Sequence, residues 1–203
     1  MSYLDRVLAD SYDRESWLKA RENVLGASDA AKFAKISSVE TYVRQKLTKS
    51  EFTGNSATEQ GNRWEPMLLA YAQFDPCGLL IHHPDEAGFA ATPDGLHVRG
   101  DGSLQLAETK AKHNIIVTGP NPRELRQIAW QLFVVPEATS VDFIWGEIVD
   151  KSGEWELRRD PQIIRYWADS DIIRDIQAQI VPIATEVLAA LKAARELEKE
   201  IDF

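Results

Sequence analysis

The middle third of the chain constrains the fold most, because its hydrophobic period changes there from helical to alternating. Leu79-Leu80-Ile81-His82 is a short apolar run bounded by turn residues. Gly88 to Val98 reads as strand interrupted at Thr92-Pro93-Asp94-Gly95, and Leu104 to Lys110 reads as the returning strand. Between them, Arg99-Gly100-Asp101-Gly102 is a hairpin turn. A hairpin centred on Gly100-Asp101 sets Asp94 opposite Glu108. Side chains alternate along a strand, so Leu104, Leu106, Glu108 and Lys110 share one face. The pattern therefore draws two carboxylates and one ammonium group to one place on a sheet.

On both sides of this hairpin the period is helical. Asp13 or Ser16 caps a short helix carrying Trp17 and Leu18. Ser28 is the expected cap of a helix through Ala30, Ala31 and Ala34, and Ser38 precedes Val39, Tyr42, Val43 and Leu47 at helical spacing. A polar loop is expected from Thr48 to Asn55. The next helix has Trp64, Leu68, Tyr71 and Ala72 on one face, and Pro66 within it should kink or restart it. After Gly119-Pro120-Asn121-Pro122, a helix is expected from Glu124 to about Val135, then a strand over Val141 to Val149 with Trp155 to Arg158 as its hairpin partner. The remainder, Pro161 to about Glu200, reads as helical with a break at Pro182. The sum is α+β: a central mixed β-sheet flanked by helices. One domain over 1–203 is expected, with 160–203 as a helical extension.

Composition narrows the class. The 203 residues fit one domain, and 44% apolar with 27% charged residues is the balance of a soluble globular chain. That excludes disordered, collagen-like and membrane chains. The single cysteine, Cys77, lies between Pro76 and Gly78; it makes no internal disulfide and reads as a turn or core thiol. His82, His83, His97 and His113 match no zinc spacing. The start Met1-Ser2-Tyr3-Leu4-Asp5-Arg6 is not a signal peptide. No stretch is read as approaching the roughly 20 apolar residues of a membrane span, and a cytoplasmic location is expected. The formal charge of −9 argues, on its face, against a polyphosphate partner.

The carboxylate cluster argues the other way. Two carboxylates about 5 Å apart repel by roughly 3 kcal/mol at an effective dielectric near 20. Lys110 can compensate one charge; a divalent cation compensates two, and hard oxygen ligands suit Mg²⁺ or Mn²⁺. A metal so held orients a water, lowers its pKa and stabilises charge on a phosphoryl oxygen. Glu65, directly before the helix-breaking Pro66, is a third candidate carboxylate. Singly, each residue has an ordinary reading: Asp94 as a turn residue before Gly95, Glu108 with Lys110 as a strand salt bridge, Glu65 as a solvated helix residue. Their joint occurrence sets them apart.

That order, Pro93-Asp94 followed by Glu108-Thr109-Lys110, resembles the PD-(D/E)xK nuclease superfamily and its restriction-endonuclease-like core. More narrowly, the chain resembles the lambda exonuclease and YqaJ-type viral recombinase family. The resemblance is carried by Leu25-Gly26-Ala27-Ser28-Asp29-Ala30 with Arg21 seven residues before Ser28, and by Gly61-x-x-x-Glu65-Pro66. Ala91-Thr92-Pro93-Asp94-Gly95-Leu96 with the Glu108-Thr109-Lys110 triplet, and Gln127-Ile128-Ala129-Trp130-Gln131-Leu132, complete it. Together these motifs span about residues 17 to 149.

The resemblance implies roles. Asp94 and Glu108 would be direct metal ligands with the carbonyl of Thr109, and Glu65 would bind the metal directly or through water. Lys110 would position or activate the nucleophilic water. Gln127 would hydrogen-bond within the site, with Gln131, one turn later on the same face, as its rival. Arg21 and Ser28 would bind the terminal 5′-phosphate, which suits the Arg fork and a helix start. Thr92 stands where a small hydroxyl residue contacts phosphate. The sequence departs from the family pattern at Thr109, where Leu, Ile or Val is more usual, and at Glu124, where a tyrosine often stands.

The resemblance thus implies a Mg²⁺-dependent 5′→3′ double-strand DNA exonuclease, with Mn²⁺ as a substitute, leaving 3′ tails for recombination. It also implies double-stranded DNA ends as substrate, a homotrimer, and a single-strand annealing protein as partner. The alternatives are an endonuclease of restriction or repair type and a catalytically inactive binding relative. The acidic total is then reconciled by position. Glu196, Glu198, Glu200 and Asp202 lie away from every motif, whereas Arg21, Lys32, Lys35, Lys110, Lys112, Arg123 and Arg126 lie within them. Binding is expected to use a local basic track and a bound metal.

Overall fold

The computed structural model describes residues 2–48 and 56–201. A 3₁₀ turn over Tyr3–Arg6 leads into β1 (Val7–Asp10), α1 (Arg14–Glu22) and the single turn α2 (Ala27–Ala30). A second 3₁₀ turn, Ile36–Ser38, precedes α3 (Val39–Leu47), and α4 (Ser56–Tyr71) follows. Then come β2 (Asp75–Pro76), β3 (Leu79–His82), β4 (Ala90–Ala91), β5 (Gly95–Val98) and β6 (Leu104–His113). The chain closes with α5 (Pro122–Val134), β7 (Ala138–Lys151), β8 (Glu154–Leu157), β9 (Gln162–Trp167) and α6 (Asp171–Ile201). The expected loop over Thr48 to Asn55 lies, beyond Thr48, outside the described residues.

Two sheets form. The smaller has the order β1-β3-β4; the larger runs β2-β5-β6-β7-β8, with β9 also paired to β7. The β5–β6 hairpin has the register set by the Gly100-Asp101 turn: Gly95 faces Ala107 and Leu96 faces Leu106. β6 and β7 are parallel, so the chain must cross over between them, and α5 is that crossover. The sheet is therefore mixed, with helices on both faces.

Period two on β6 assigns each face. Leu104 and Leu106 join the main core with Ile128, Trp130 and Leu132 of α5. Ala107 turns to the other face and packs with Leu68 and Leu69 of α4 and Ile144 of β7. Gly95 allows α4 to approach this closely: a Cβ there would stand 2.6 Å from Leu69 Cδ2 and 3.1 Å from Ala107 Cβ. The Trp130 indole, wholly buried, donates to the Ala90 carbonyl (2.9 Å) and ties α5 to the smaller sheet. The segment before α2 joins that sheet too, since Leu25 N–H donates to Gly88 and Ala90 N–H donates to Leu25.

Several expectations are corrected. Of the two caps expected for α1, Asp13 is the one used, its carboxylate accepting the Ser16 N–H. Gly26 rather than Ser28 precedes α2, which ends after one turn at Ala30. α4 runs through Pro66 without restarting, and Tyr71 is half exposed while Leu68 and Leu69 turn inward. Residues 162–167 form β9, antiparallel to β7; the run Ile163-Ile164-Arg165-Tyr166-Trp167 is β-branched and aromatic, which suits a pleated surface. α6 continues through Pro182, because Ile180, Ile183, Ala184, Val187, Leu188 and Leu191 are buried on both sides of it and offset the ~3 kcal/mol proline penalty. Residues Asp171–Leu197 are also long and apolar enough, by length and composition, to cross a membrane, contrary to the sequence reading. In this fold that apolar stripe packs on α3 and α5.

Gly95→Ala should destabilise the protein by about 1–3 kcal/mol through overpacking against Leu69. In urea unfolding, Leu69→Ala added to it should cost less than the two single changes together, because the two sites share one contact.

Candidate active site

The site begins with how β5 and β6 hold Asp94. Its N–H donates to the Ala107 carbonyl (3.1 Å), and its carbonyl accepts from Cys77 N–H (2.9 Å). Its backbone is thus fixed between β2 and β6. Asp94 Oδ2 accepts two hydrogen bonds from one residue, the Thr109 N–H (2.7 Å) and the Thr109 hydroxyl (2.9 Å).

Glu108 follows on β6 and is only 3% exposed. One of its oxygens accepts from the Lys110 ammonium, and the other accepts from the Gln131 amide of α5. Two residues beyond Lys110, Lys112 pairs with Glu124, and both are buried. Glu124 also accepts from Asn121 N–H (2.8 Å), closing the capping box of α5. Glu108, Lys110 and Lys112 on one strand face thus meet Gln131, Gln127 and Glu124 on one helix face. Gln127 lines the open cleft; Gln131, wholly buried, holds Glu108 directly. The two glutamines divide what the sequence left as a rivalry.

Burial raises the pKa of both Asp94 and Glu108. Lys110 opposes this in each case, while Glu65 pushes Asp94 up and Asp94 pushes Glu108 up. Glu65, half-buried on α4, is raised by burial and then by Glu108. Burial disfavours the Lys110 charge, yet Glu108 and Asp94 outweigh it and raise its pKa. Lys110 is therefore a held cation.

The donor set suits a hard divalent cation. Glu65, Asp94, Glu108 and Glu124 face Lys110 and Lys112, which leaves an excess of two negative charges when all are ionised. Among the described residues, no three carboxylate, imidazole or thiol side chains close around one point. Glu65 therefore does not complete a three-carboxylate cage with Asp94 and Glu108. Mg²⁺ tolerates such a site, because it is commonly held by one or two carboxylates and keeps several waters. Asp94, Glu108 and the Thr109 carbonyl are the residues that could hold it.

A cleft of about 200 Å³ joins this cluster to the residues near the N-terminus. Its lining includes Arg21, Ser28, Thr92, Asp94, Glu108 and Lys110. Arg21, on the last turn of α1, donates to Ser28 Oγ (2.8 Å) and to the Val24 carbonyl (3.1 Å) and pairs with Asp29 (2.8 Å). Gly26 leaves room for it: a Cβ there would stand 2.8 Å from Arg21 Cζ. Lys46 pairs with the same Asp29 oxygen (3.1 Å). Burial raises Asp29, but Arg21 and Lys46 outweigh it and hold the carboxyl below its usual range. Lys46 is pushed down to about 8 by burial and by Arg21. Thr92 accepts a hydrogen bond from the Trp17 indole (3.3 Å).

Sequence reasoning gave no role to Trp17, Asp29 or Lys46. Trp17 is one turn before Arg21 on the same helix face, a spacing that points it to the same cleft. Asp29 lies inside the quoted Gly26-to-Ala30 motif. Nothing local in the sequence links Lys46 to it.

The fold and cleft define the class first: an α+β domain whose curled mixed sheet carries a carboxylate–lysine cluster under a crossover helix. Residues 16–124 match the model of the YqaJ-like viral recombinase domain, and the chain belongs to that family. The crystal structure of LHK-Exo in complex with dAMP is similar in fold, with a TM-score of 0.59 and 21% identity over 92% of this chain and 99% of that one. The crystal structure of SSO0001 is similar with a TM-score of 0.50 and 14% identity, over 83% of this chain and 76% of that one. No curated protein sequence gives a significant match.

The raised carboxyl pKa values set a pH dependence. Unfolded Asp and Glu titrate near ~3.9 and ~4.3, and the folded cluster keeps its protons to higher pH. Metal-free protein should therefore lose stability as pH rises from those values through the raised ones. Asp94→Asn removes one mutually repelling charge and should raise the metal-free melting temperature at neutral pH by at least about 2 °C, read by differential scanning fluorimetry with a chelator present.

Proposed function

We propose that this protein is a metal-dependent deoxyribonuclease that digests one strand of duplex DNA from the 5′ end and leaves a 3′ single-stranded tail for recombination. One observation carries the reading: a single cleft is lined both by Arg21 with Ser28, which suit a phosphate, and by the Asp94, Glu108 and Lys110 cluster. An anchor beside the reacting groups limits cleavage to the first nucleotide of an end. The structurally similar LHK-Exo has been crystallised in complex with dAMP, a mononucleotide, which is the class of product proposed here.

In this reading, Asp94, Glu108 and the Thr109 carbonyl would hold a Mg²⁺ or Mn²⁺ ion, which would supply a water of lowered pKa and charge for the phosphoryl oxygens. Glu65 would bind that ion directly or through water. Lys110, kept cationic by Glu108 and Asp94, positions the attacking water and offsets the negative charge that grows at phosphorus. Gln127 contributes a hydrogen bond within the cleft. The water oxygen bonds to phosphorus, the P–O3′ bond breaks, and the 3′ oxygen leaves with a proton. The released nucleotide keeps the old 5′-phosphate, and the shortened strand carries a new one. That new end has the group that Arg21, Ser28 and Thr92 would bind, so each turnover regenerates the substrate.

The same reading includes double-stranded DNA ends as substrate, a homotrimer around the product strand, an annealing protein as partner, and action in the cytoplasm. An endonuclease on the same cluster is the second reading, and the position of Arg21 and Ser28 beside the cluster argues against it. Linear duplex labelled at either 5′ or 3′ termini, with and without a 5′-phosphate, should lose mononucleotides from phosphorylated 5′ ends in Mg²⁺. Nicking of circular plasmid would support the endonuclease instead. Lys110→Ala should lower cleavage by about 100-fold or more while DNA binding persists. Arg21→Ala should selectively erase the advantage of 5′-phosphorylated ends; equal loss on hydroxyl ends would contradict the anchor.

A further inference from the structure

Thr109 occupies the middle of the Glu108-Thr109-Lys110 triplet, where an aliphatic residue is more usual, and its hydroxyl is employed. It is 6% exposed, so an unpartnered hydroxyl there would be costly. Its partner is Asp94 Oδ2, which also takes the Thr109 N–H. A carboxylate oxygen has two lone pairs, and Thr109 alone fills both. Among the described residues, no donor reaches Asp94 Oδ1, and Asp94 lines the cleft. The backbone of Asp94 is meanwhile fixed by Ala107 and Cys77.

We infer that the Thr109 hydroxyl is a positioning group: by saturating Oδ2 it commits Asp94 to present Oδ1 to a divalent cation. The inference rests on the metal-dependent reading above. A terminal carboxylate torsion is broad and roughly two-fold, and a single N–H donor leaves Oδ2 with a free lone pair. Asp94 could then offer either oxygen. The hydroxyl removes that second arrangement, and the β-branched Thr side chain keeps the hydroxyl in place because its χ1 is stiff. Valine has nearly the same shape and no hydroxyl, so Thr109→Val isolates the hydrogen bond from the packing. Serine restores the donor without the methyl group.

The test is Mn²⁺ binding to the full chain without DNA, by isothermal titration calorimetry, for wild type, Thr109→Val, Thr109→Ser and Asp94→Asn. Thr109→Val should bind about 10-fold more weakly, the lower bound for losing an outer partner of a metal ligand. Thr109→Ser should return to within about two-fold of wild type, since it keeps that partner. In cleavage, Thr109→Val should need correspondingly more Mg²⁺ for half-maximal rate. Urea unfolding in chelator reports whether each variant folds as wild type does. Wild-type Mn²⁺ affinity in Thr109→Val, with binding abolished in Asp94→Asn, would overturn the hydroxyl's role and leave the metal reading intact. Weakening in Thr109→Ser equal to that in Thr109→Val would overturn it as well. Absence of Mn²⁺ binding by the wild type would overturn both.

Discussion

The contact on which the rest of the structure depends is the polar seam between β6 and α5. Glu108 meets Lys110 and Gln131 there, and Lys112 meets Glu124, all largely out of water. Isolated, any of these charges would cost several kcal/mol to bury, and removing one partner leaves the other uncompensated. The seam therefore requires strand and helix to meet in a single register. The β6–α5–β7 crossover supplies it, and the apolar residues beside the seam, Leu104, Leu106, Ile128 and Leu132, hold it closed. Catalytic-type groups and core thus share one strand face, polar toward the cleft and apolar toward the β6 start.

The seam also explains a departure from the family pattern. Glu124 stands where a tyrosine is more usual, and it pairs with Lys112 while capping its own helix. Its carboxylate adds to the field that keeps Lys110 charged. A neutral residue at that position would leave Lys112 buried and unpaired, so Glu124 and Lys112 are expected to change together in any relative.

What was legible in the sequence was local. The Gly100-Asp101 turn set the β5–β6 register, and alternation then placed Glu108 and Lys110 on one face. Of the residues expected at the site, Arg21, Ser28, Thr92, Asp94, Glu108, Lys110 and Gln127 line one cleft, because their motifs belong to segments that converge on β4 and β6, whereas Glu65 and Thr109 are not in its lining. Legibility ended where two answers share one period. Gln127 and Gln131 lie on one helix face, and only packing decides which reaches Glu108. The stretch 161–167 had apolar residues compatible with either element, and pairing to β7, with Arg165 on Asp142 (2.6 and 2.8 Å), decided for strand. Pro182 failed as a breaker because burial on either side outweighed the lost hydrogen bond, and α4 likewise runs through Pro66. The hold of Lys46 on Asp29 spans 17 residues and left no local signal.

The net charge of −9 is compatible with a phosphate partner for a reason the cleft makes plain. Total charge governs long-range attraction, which salt screens within roughly 8 Å at physiological ionic strength. Inside the cleft, the relevant fields are those of groups a few ångströms away. Arg21 there has Asp29 as its counter-ion, and Lys46 pairs with the same carboxylate, so the trio carries one excess positive charge. The Asp94 end carries the opposite excess. A phosphate dianion entering such a cleft is drawn to one end and repelled from the other unless a cation sits with the carboxylates. In the proposed reading, anchor and cluster would then act as a polarity filter. The terminal phosphate would dock at the basic end, and the next phosphate would be tolerated at the acidic end only with metal present.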